Sequence, residues 1–176
     1  MTTTFEKLTV PTEEHVAAFN RWNNDDQLIP LIRPNKNEEE LSGRSTMTLA
    51  DLEKRLSDHT IFLIYADGKL VGEMNYMIDP PHLFKKAPRS AWIGITIGEP
   101  EGRGKGIGVL AMAHIEEKIK EAGLERIELG VFEYNTRARR LYEKMGYSEL
   151  AQQADFTYWQ GRMWADVRME KQIFHL

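Results

Sequence analysis

A chain of 176 residues, 41% hydrophobic and 28% charged, has the size and composition of one globular domain with its own core. A formal charge of -4 sets it apart from nucleic-acid binders, which carry a basic excess, and the lack of Cys removes disulfides, thiolate zinc sites and catalytic thiols. With no apolar leader in its first residues and no run long enough to span a bilayer, the expectation is a cytoplasmic protein with no nucleic-acid or membrane partner.

In chain order, Phe5 to Val10 reads as a short strand. Pro11-Thr12-Glu13-Glu14 opens a helix carrying Val16, Phe19 and Trp22, with Thr12 as its N-cap. From Asn23 to Ser45 the pattern breaks down, and the Glu38-Glu39-Glu40 run reads as a solvated face. Thr48 to Leu56 is a capped helix. Ile61 to Tyr65 and Leu70 to Tyr76 are strands joined at the hairpin signal Asp67-Gly68. A loop from Asp79 carries Lys85, Lys86 and Arg89. Trp92 to Ile97 is β-branched and mostly apolar, as expected of a strand buried on both faces. A helix over about Gly104 to Ala122 presents Ile107, Leu110, Ile115 and Ile119, and Gly123 stops it. Leu124 to Phe132 is a strand, Thr136 to Met145 a helix capped by Gly146, and 147–150 and 163–170 are two closing strands. The expected fold is one α/β domain over 1–176: a mixed, mostly antiparallel central sheet, with a parallel pair around Gly104 to Phe132, flanked by helices.

Two segments carry chemistry. Arg103-Gly104-Lys105-Gly106-Ile107-Gly108 is a glycine-rich turn entering a helix. Backbone N–H groups and the helix dipole favour an anion there, and a diphosphate is a natural occupant. A Walker loop fails because Gly106 follows Lys105 where Ser or Thr is required. A dinucleotide fingerprint over Gly106 to Ala111 lies too far from the preceding strand. The second segment, Asn135 to Tyr147, combines an N-cap Asn, a phenol at Tyr142 and a stop at Gly146. No G-x-S-x-G, H-E-x-x-H or H-x-x-x-D pattern is present.

Together the two segments resemble the GNAT acetyltransferase superfamily. Arg103 through Gly108 follow its acyl-CoA loop, Q/R-x-x-G-x-G/A, and Asn135, Ala138, Leu141, Tyr142, Lys144, Gly146 and Tyr147 follow its later motif. Trp22-Asn23-Asn24-Asp25 and Trp164 to Met169 resemble the branch acetylating ribosomal-protein N-termini and polyamines.

The resemblance implies a GNAT-like fold, acetyl-CoA as co-substrate and no metal. It implies direct transfer of the acetyl group to a primary amine, whether polyamine, aminoglycoside, amino acid or protein N-terminus. The backbone of Ile95, Thr96 and Ile97 would pair with the pantetheine arm, and Arg103, Gly104, Lys105, Gly106, Ile107 and Gly108 would hold the diphosphate. Asn135 would contact the pantetheine side, Lys144 the phosphates, and Tyr142 would be the general acid. For the general base Glu73, His82, Glu133 and a water chain stay open, with Glu73 preferred. Relatives often dimerise, so a homodimer is compatible. The alternative is a non-catalytic acyl-CoA-binding sensor or assembly module.

Overall fold

A hairpin sheet with one deliberate gap organises the molecule. The computed structural model describes residues 1–173, so the last three residues of the expected domain lie outside the described residues. Seven strands, β1 (Thr3–Lys7), β2 (Thr60–Ala66), β3 (Lys69–Ile78), β4 (Ser90–Ile97), β5 (Arg126–Phe132), β6 (Ser148–Trp159) and β7 (Arg162–Gln172), lie in the order β1-β2-β3-β4-β5-β7-β6. Every neighbouring pair is antiparallel except β4 and β5. That parallel pair is joined by the long helix α5 (Ile107–Glu121), as a crossover requires. None of the helices in the described residues is long and apolar enough to cross a membrane.

Strand alternation divides the core into two. On one face Ile64, Met74, Ile93, Ile127, Leu129 and Val167 pack under α5 and α6 (Thr136–Lys144). On the other, Leu8, Ile61 and Leu63 pack under α1 (Glu13–Asn23) and α4 (Leu49–Arg55). Both of these helices begin in capping boxes. The Thr12 hydroxyl accepts from His15 N–H at 3.4 Å, and that of Thr48 accepts from Asp51 N–H at 3.1 Å. The segment between them holds two short helices, α2 (Ile29–Ile32) and α3 (Glu38–Ser42). Glu38 to Glu40 form the exposed first turn of α3, at the end of the dipole that suits carboxylates.

Four expectations need correction. The first strand is Thr3–Lys7 rather than residues 5–10. The long helix starts at Ile107, not Gly104, and Leu110 is half exposed rather than packed. β6 runs to Trp159, far past residue 150, because a bulge between Gln153 and Thr157 hides its period-two pattern. β4 is only partly buried beyond Ile93, because β5 pairs with it only as far as Trp92.

Candidate active site

The parallel pairing of β4 with β5 covers only Ser90 to Trp92 against Arg126 to Glu128. Beyond Trp92 the two strands part, since β5 continues against β7 alone. One edge of β4 is thereby left open over Ile93 to Ile97, with β3 holding the other. Gly98 N–H donates to Val71 O at 2.8 Å. Ladder alternation from that bond sends the backbone groups of Gly94 and Thr96 to β3 and those of Ile93, Ile95 and Ile97 to the open edge. Of the three expected arm-pairing residues, Ile95 and Ile97 thus offer backbone groups there, while those of Thr96 face Glu73.

The glycine turn follows directly. Arg103 does not point at a ligand: its guanidinium donates to Ile97 O at 3.2 Å and Gly98 O at 3.0 Å, fastening the turn to the end of β4. Gly104 and Gly106 hold φ of 70° and 78°, the left-handed region that a side chain resists. Gly106 is the N-cap of α5, and Ile107 plugs into the core with 1% exposure. None of the six N–H groups from Gly104 to Val109 has a partner among the described residues. Lys105 is exposed beside them, and the Arg137 guanidinium lies 3.7 Å from where a Gly104 Cβ would stand. Arg137 is a cation at this turn that the sequence reading did not single out, although it sits inside the second motif.

Gly108 does a different job from its neighbours. A Cβ there would stand 3.1 Å from Leu141 Cδ2, so this glycine lets α5 and α6 approach closely.

On α6, Asn135 accepts from Ala138 N–H at 3.3 Å as the N-cap, and Lys144 is exposed in the last turn. Tyr142 is buried in the core shared by Ile95 and Ile97, and its hydroxyl has no hydrogen-bond partner among the described residues. Burial pushes its pKa up to about 12.

The family model described as Acetyltransferase (GNAT) family matches residues 17–147. The chain belongs to the GNAT acetyltransferase family. A Bacillus subtilis (strain 168) protein named Uncharacterized N-acetyltransferase YdgE is 37% identical over 94 residues, 52% of this chain and 57% of its own length. Among solved structures, the ribosomal-protein-alanine N-acetyltransferase from Brucella melitensis superposes with a TM-score of 0.76 at 19% identity, covering 97% of this chain and 99% of that one. The spermidine N-acetyltransferase from Vibrio cholerae, in complex with CoA and spermine, gives 0.73 at 21% identity, covering 97% and 95%. These likenesses establish the seven-stranded mixed sheet with its one parallel pair as the GNAT fold.

In this GNAT chain the face opposite α5 and α6 is polar around the parting of the strands. Glu73 is 7% exposed, takes both bonds from Asn75 Nδ2 at 3.2 and 3.1 Å, and lies 3.9 Å from Arg55. Burial raises its pKa, outweighing Arg55. His82 stands edge-on to Trp92, ring centroids 4.7 Å apart, and burial followed by Arg168 lowers its pKa. Glu133 is exposed and accepts from Ala165 N–H at 3.1 Å. The three candidate bases therefore occupy three different places, and Glu73 and His82 are the two next to β4.

Beneath His82 runs a buried ion network that the sequence reading missed. Glu128, 0% exposed, binds Arg126 at 2.7 Å and Arg168 at 3.1 Å, and accepts from the N–H groups of Phe84 and Lys85 at 2.8 and 3.2 Å. Arg168 also donates to His82 O at 2.9 Å and to Asp166 at 2.8 Å, with its guanidinium 4.7 Å from the Trp92 ring. The network straps the loop after Asp79 across β5. Its sequence signal was the alternation Asp166, Arg168, Glu170 against Arg126, Glu128, with charges on one strand face where apolar residues are usual.

Proposed function

We propose that this protein transfers an acetyl group from acetyl-CoA to a primary amine by direct attack. One observation carries the reading: six successive N–H groups, Gly104 to Val109, without a partner among the described residues, open beside the edge that β4 leaves free on the side of Tyr142. A diphosphate supplies the oxygens such a row needs, with the α5 dipole, Lys105 and Arg137 favouring its charge. Ile95 and the N–H of Ile97, whose carbonyl Arg103 holds, supply edge groups to the amides of a pantetheine arm, as an added strand would. As the family resemblance implies, Asn135, which caps α6, would meet the pantetheine side and Lys144 the phosphates.

The acceptor attacks the thioester carbonyl from the Glu73 and Trp92 face, and the edge N–H groups stabilise the oxyanion. Coenzyme A leaves as a thiolate, and Tyr142 meets the sulfur. With a pKa about 12, against roughly 8.5 for an ordinary thiol, the phenol acts there as a hydrogen-bond donor that keeps its proton until the thiolate is displaced. Glu73 takes one proton of the ammonium, its basicity raised by burial, so that the neutral amine attacks; the second proton, shed by the nitrogen as the tetrahedral intermediate collapses, goes to the departing thiolate. The acceptor class rests on chemistry that the Vibrio cholerae and Brucella melitensis neighbours share, a primary amine. The test is free-thiol release from acetyl-CoA across spermidine, aminoglycosides, amino acids and short peptides. Turnover with one class supports the reading. Tight acetyl-CoA binding with no turnover favours a sensor.

A base kept in a buried site lowers stability. The Glu73 pKa is higher folded than unfolded, so stability falls as pH rises from the ordinary carboxylate value through the raised one. Glu73→Gln should melt higher than the parent at pH 7, with the difference vanishing in acid, while turnover collapses. A lower melting temperature at pH 7 would contradict this placement.

A further inference from the structure

Three side chains in register cross the sheet beside the parting of β4 and β5: Phe132 on β5, Asp166 on β7 and Gln153 on β6. Directly opposed residues of antiparallel strands share a face, so the three form one row. The row lies on the face away from α5 and α6. It adjoins β4 because Gly130 lacks a side chain: a Cβ there would stand 2.8 Å from Asp166 Oδ2 and 3.1 Å from the Trp92 ring.

The row holds acceptors without donors. Gln153 Oε1 is the one side-chain nitrogen or oxygen among the described residues that is wholly shielded from solvent and has no hydrogen-bond partner. Asp166 is 2% exposed, and Arg168 Nε takes its Oδ2 at 2.8 Å while Oδ1 receives no bond from the described residues. An unpaired buried carbonyl costs about 1–3 kcal/mol, which a donor brought by a ligand would offset. The walls are apolar: Phe156 lies 6.2 Å from Phe132, centroid to centroid, and Trp164 follows Asp166 by alternation on β7. The bulge after Gln153, where Asp155 has φ of 51°, breaks the ladder at this point, as bulges next to ligand sites do.

We propose that Asp166 Oδ1 and Gln153 Oε1 form the seat for the acceptor nitrogen, which selects an alkylammonium head on an apolar stem. The assignment rests on the amine-acetyltransferase reading and adds its specificity residues. An alkylammonium brings up to three N–H donors to these two oxygens, and Phe132 and Phe156 flank its carbon chain. Burial raises the Asp166 carboxyl against the pull of Arg168, and a cation that pairs with it favours the charged form. Asp166 and Gln153 are positioning residues: they hold the nitrogen on the β5 side of the parting of β4 and β5.

The test is calorimetric titration of butylammonium chloride and of spermidine into the protein saturated with coenzyme A, for the parent, Gln153→Met and Asp166→Asn. The parent should bind one of these probes. Gln153→Met should weaken binding at least tenfold and raise KM for the amine by a similar factor, leaving KM for acetyl-CoA unchanged. Its melting temperature should hold or rise, since the lost carbonyl had no partner. Asp166→Asn should weaken binding as well, and Gln153→Met carries the test if loss of the Arg168 partner unfolds that variant. Equal binding by parent and Gln153→Met, or no ammonium binding by a parent that binds coenzyme A, overturns the seat. Failure to bind coenzyme A at all overturns the acetyltransferase reading instead.

Discussion

Tyr142→Phe should lower kcat by about a hundred- to ten-thousand-fold and leave acetyl-CoA affinity within about twofold. The phenol is buried, its hydroxyl bonds to none of the described residues, and its pKa near 12 keeps the proton on it throughout the physiological range. Phe preserves the ring that packs near Tyr147 at 6.1 Å, so the core is kept and one hydroxyl is lost. Because that hydroxyl has no partner among the described residues, the melting temperature should barely change. Single-turnover thiol release would isolate the chemical step. A variant that turns over like the parent would remove Tyr142 from the mechanism.

Glu128→Ala should destabilise the protein by about 3–5 kcal/mol. Arg126 and Arg168 have side chains only 3% and 5% exposed, and both would lose the carboxylate between them. The N–H groups of Phe84 and Lys85 would lose their acceptor at the same stroke. For a domain of this size the fall in melting temperature is roughly 10 °C. Burial by itself would raise the Glu128 pKa, but Arg126 and the two backbone donors outweigh it and hold the carboxyl below its ordinary value. Stability from this group is therefore present above the unfolded pKa and is lost as pH falls through the depressed one. Glu128→Gln keeps acceptors for the backbone donors and should cost less than Ala. Thermal melts of both at pH 7 and in acid would check the ordering; a loss under about 1 kcal/mol for Ala would mean that the network contributes little.

The parts of this fold set by local chemistry were legible in the sequence. Thr12 and Thr48 announce their helices through hydroxyls that accept N–H groups within one turn, and Asn135 caps α6 in the same way. Asp67-Gly68 turns the β2-β3 hairpin as expected. What escaped was non-local. β4 has the composition of a strand covered on both sides, yet it parts from β5 after Trp92, and nothing in its own residues encodes the departure. β6 lost its pattern to the bulge after Gln153, and with it went the register that places Gln153 against Asp166. Of the expected loop residues, Gly104 to Gly108 lie together at the start of α5, and Ile95 and Ile97 open toward them. Arg103 and Gly108 turned out to be committed inside the protein, one to β4 and one to α6. Those commitments depend on which strand and helix pass nearby, and spacing along the chain does not contain that.

The measurement that bears most directly on the site is an amide NMR titration of the nitrogen-15-labelled protein with acetyl-CoA. The N–H row and the open strand edge predict the largest shifts at residues 104–109, with Ile95 and Ile97 shifting in parallel and residues of the β1-β2 edge unmoved. Shifts centred elsewhere, such as the groove lined by Phe5, Lys7 and His114, or none at all, would contradict it.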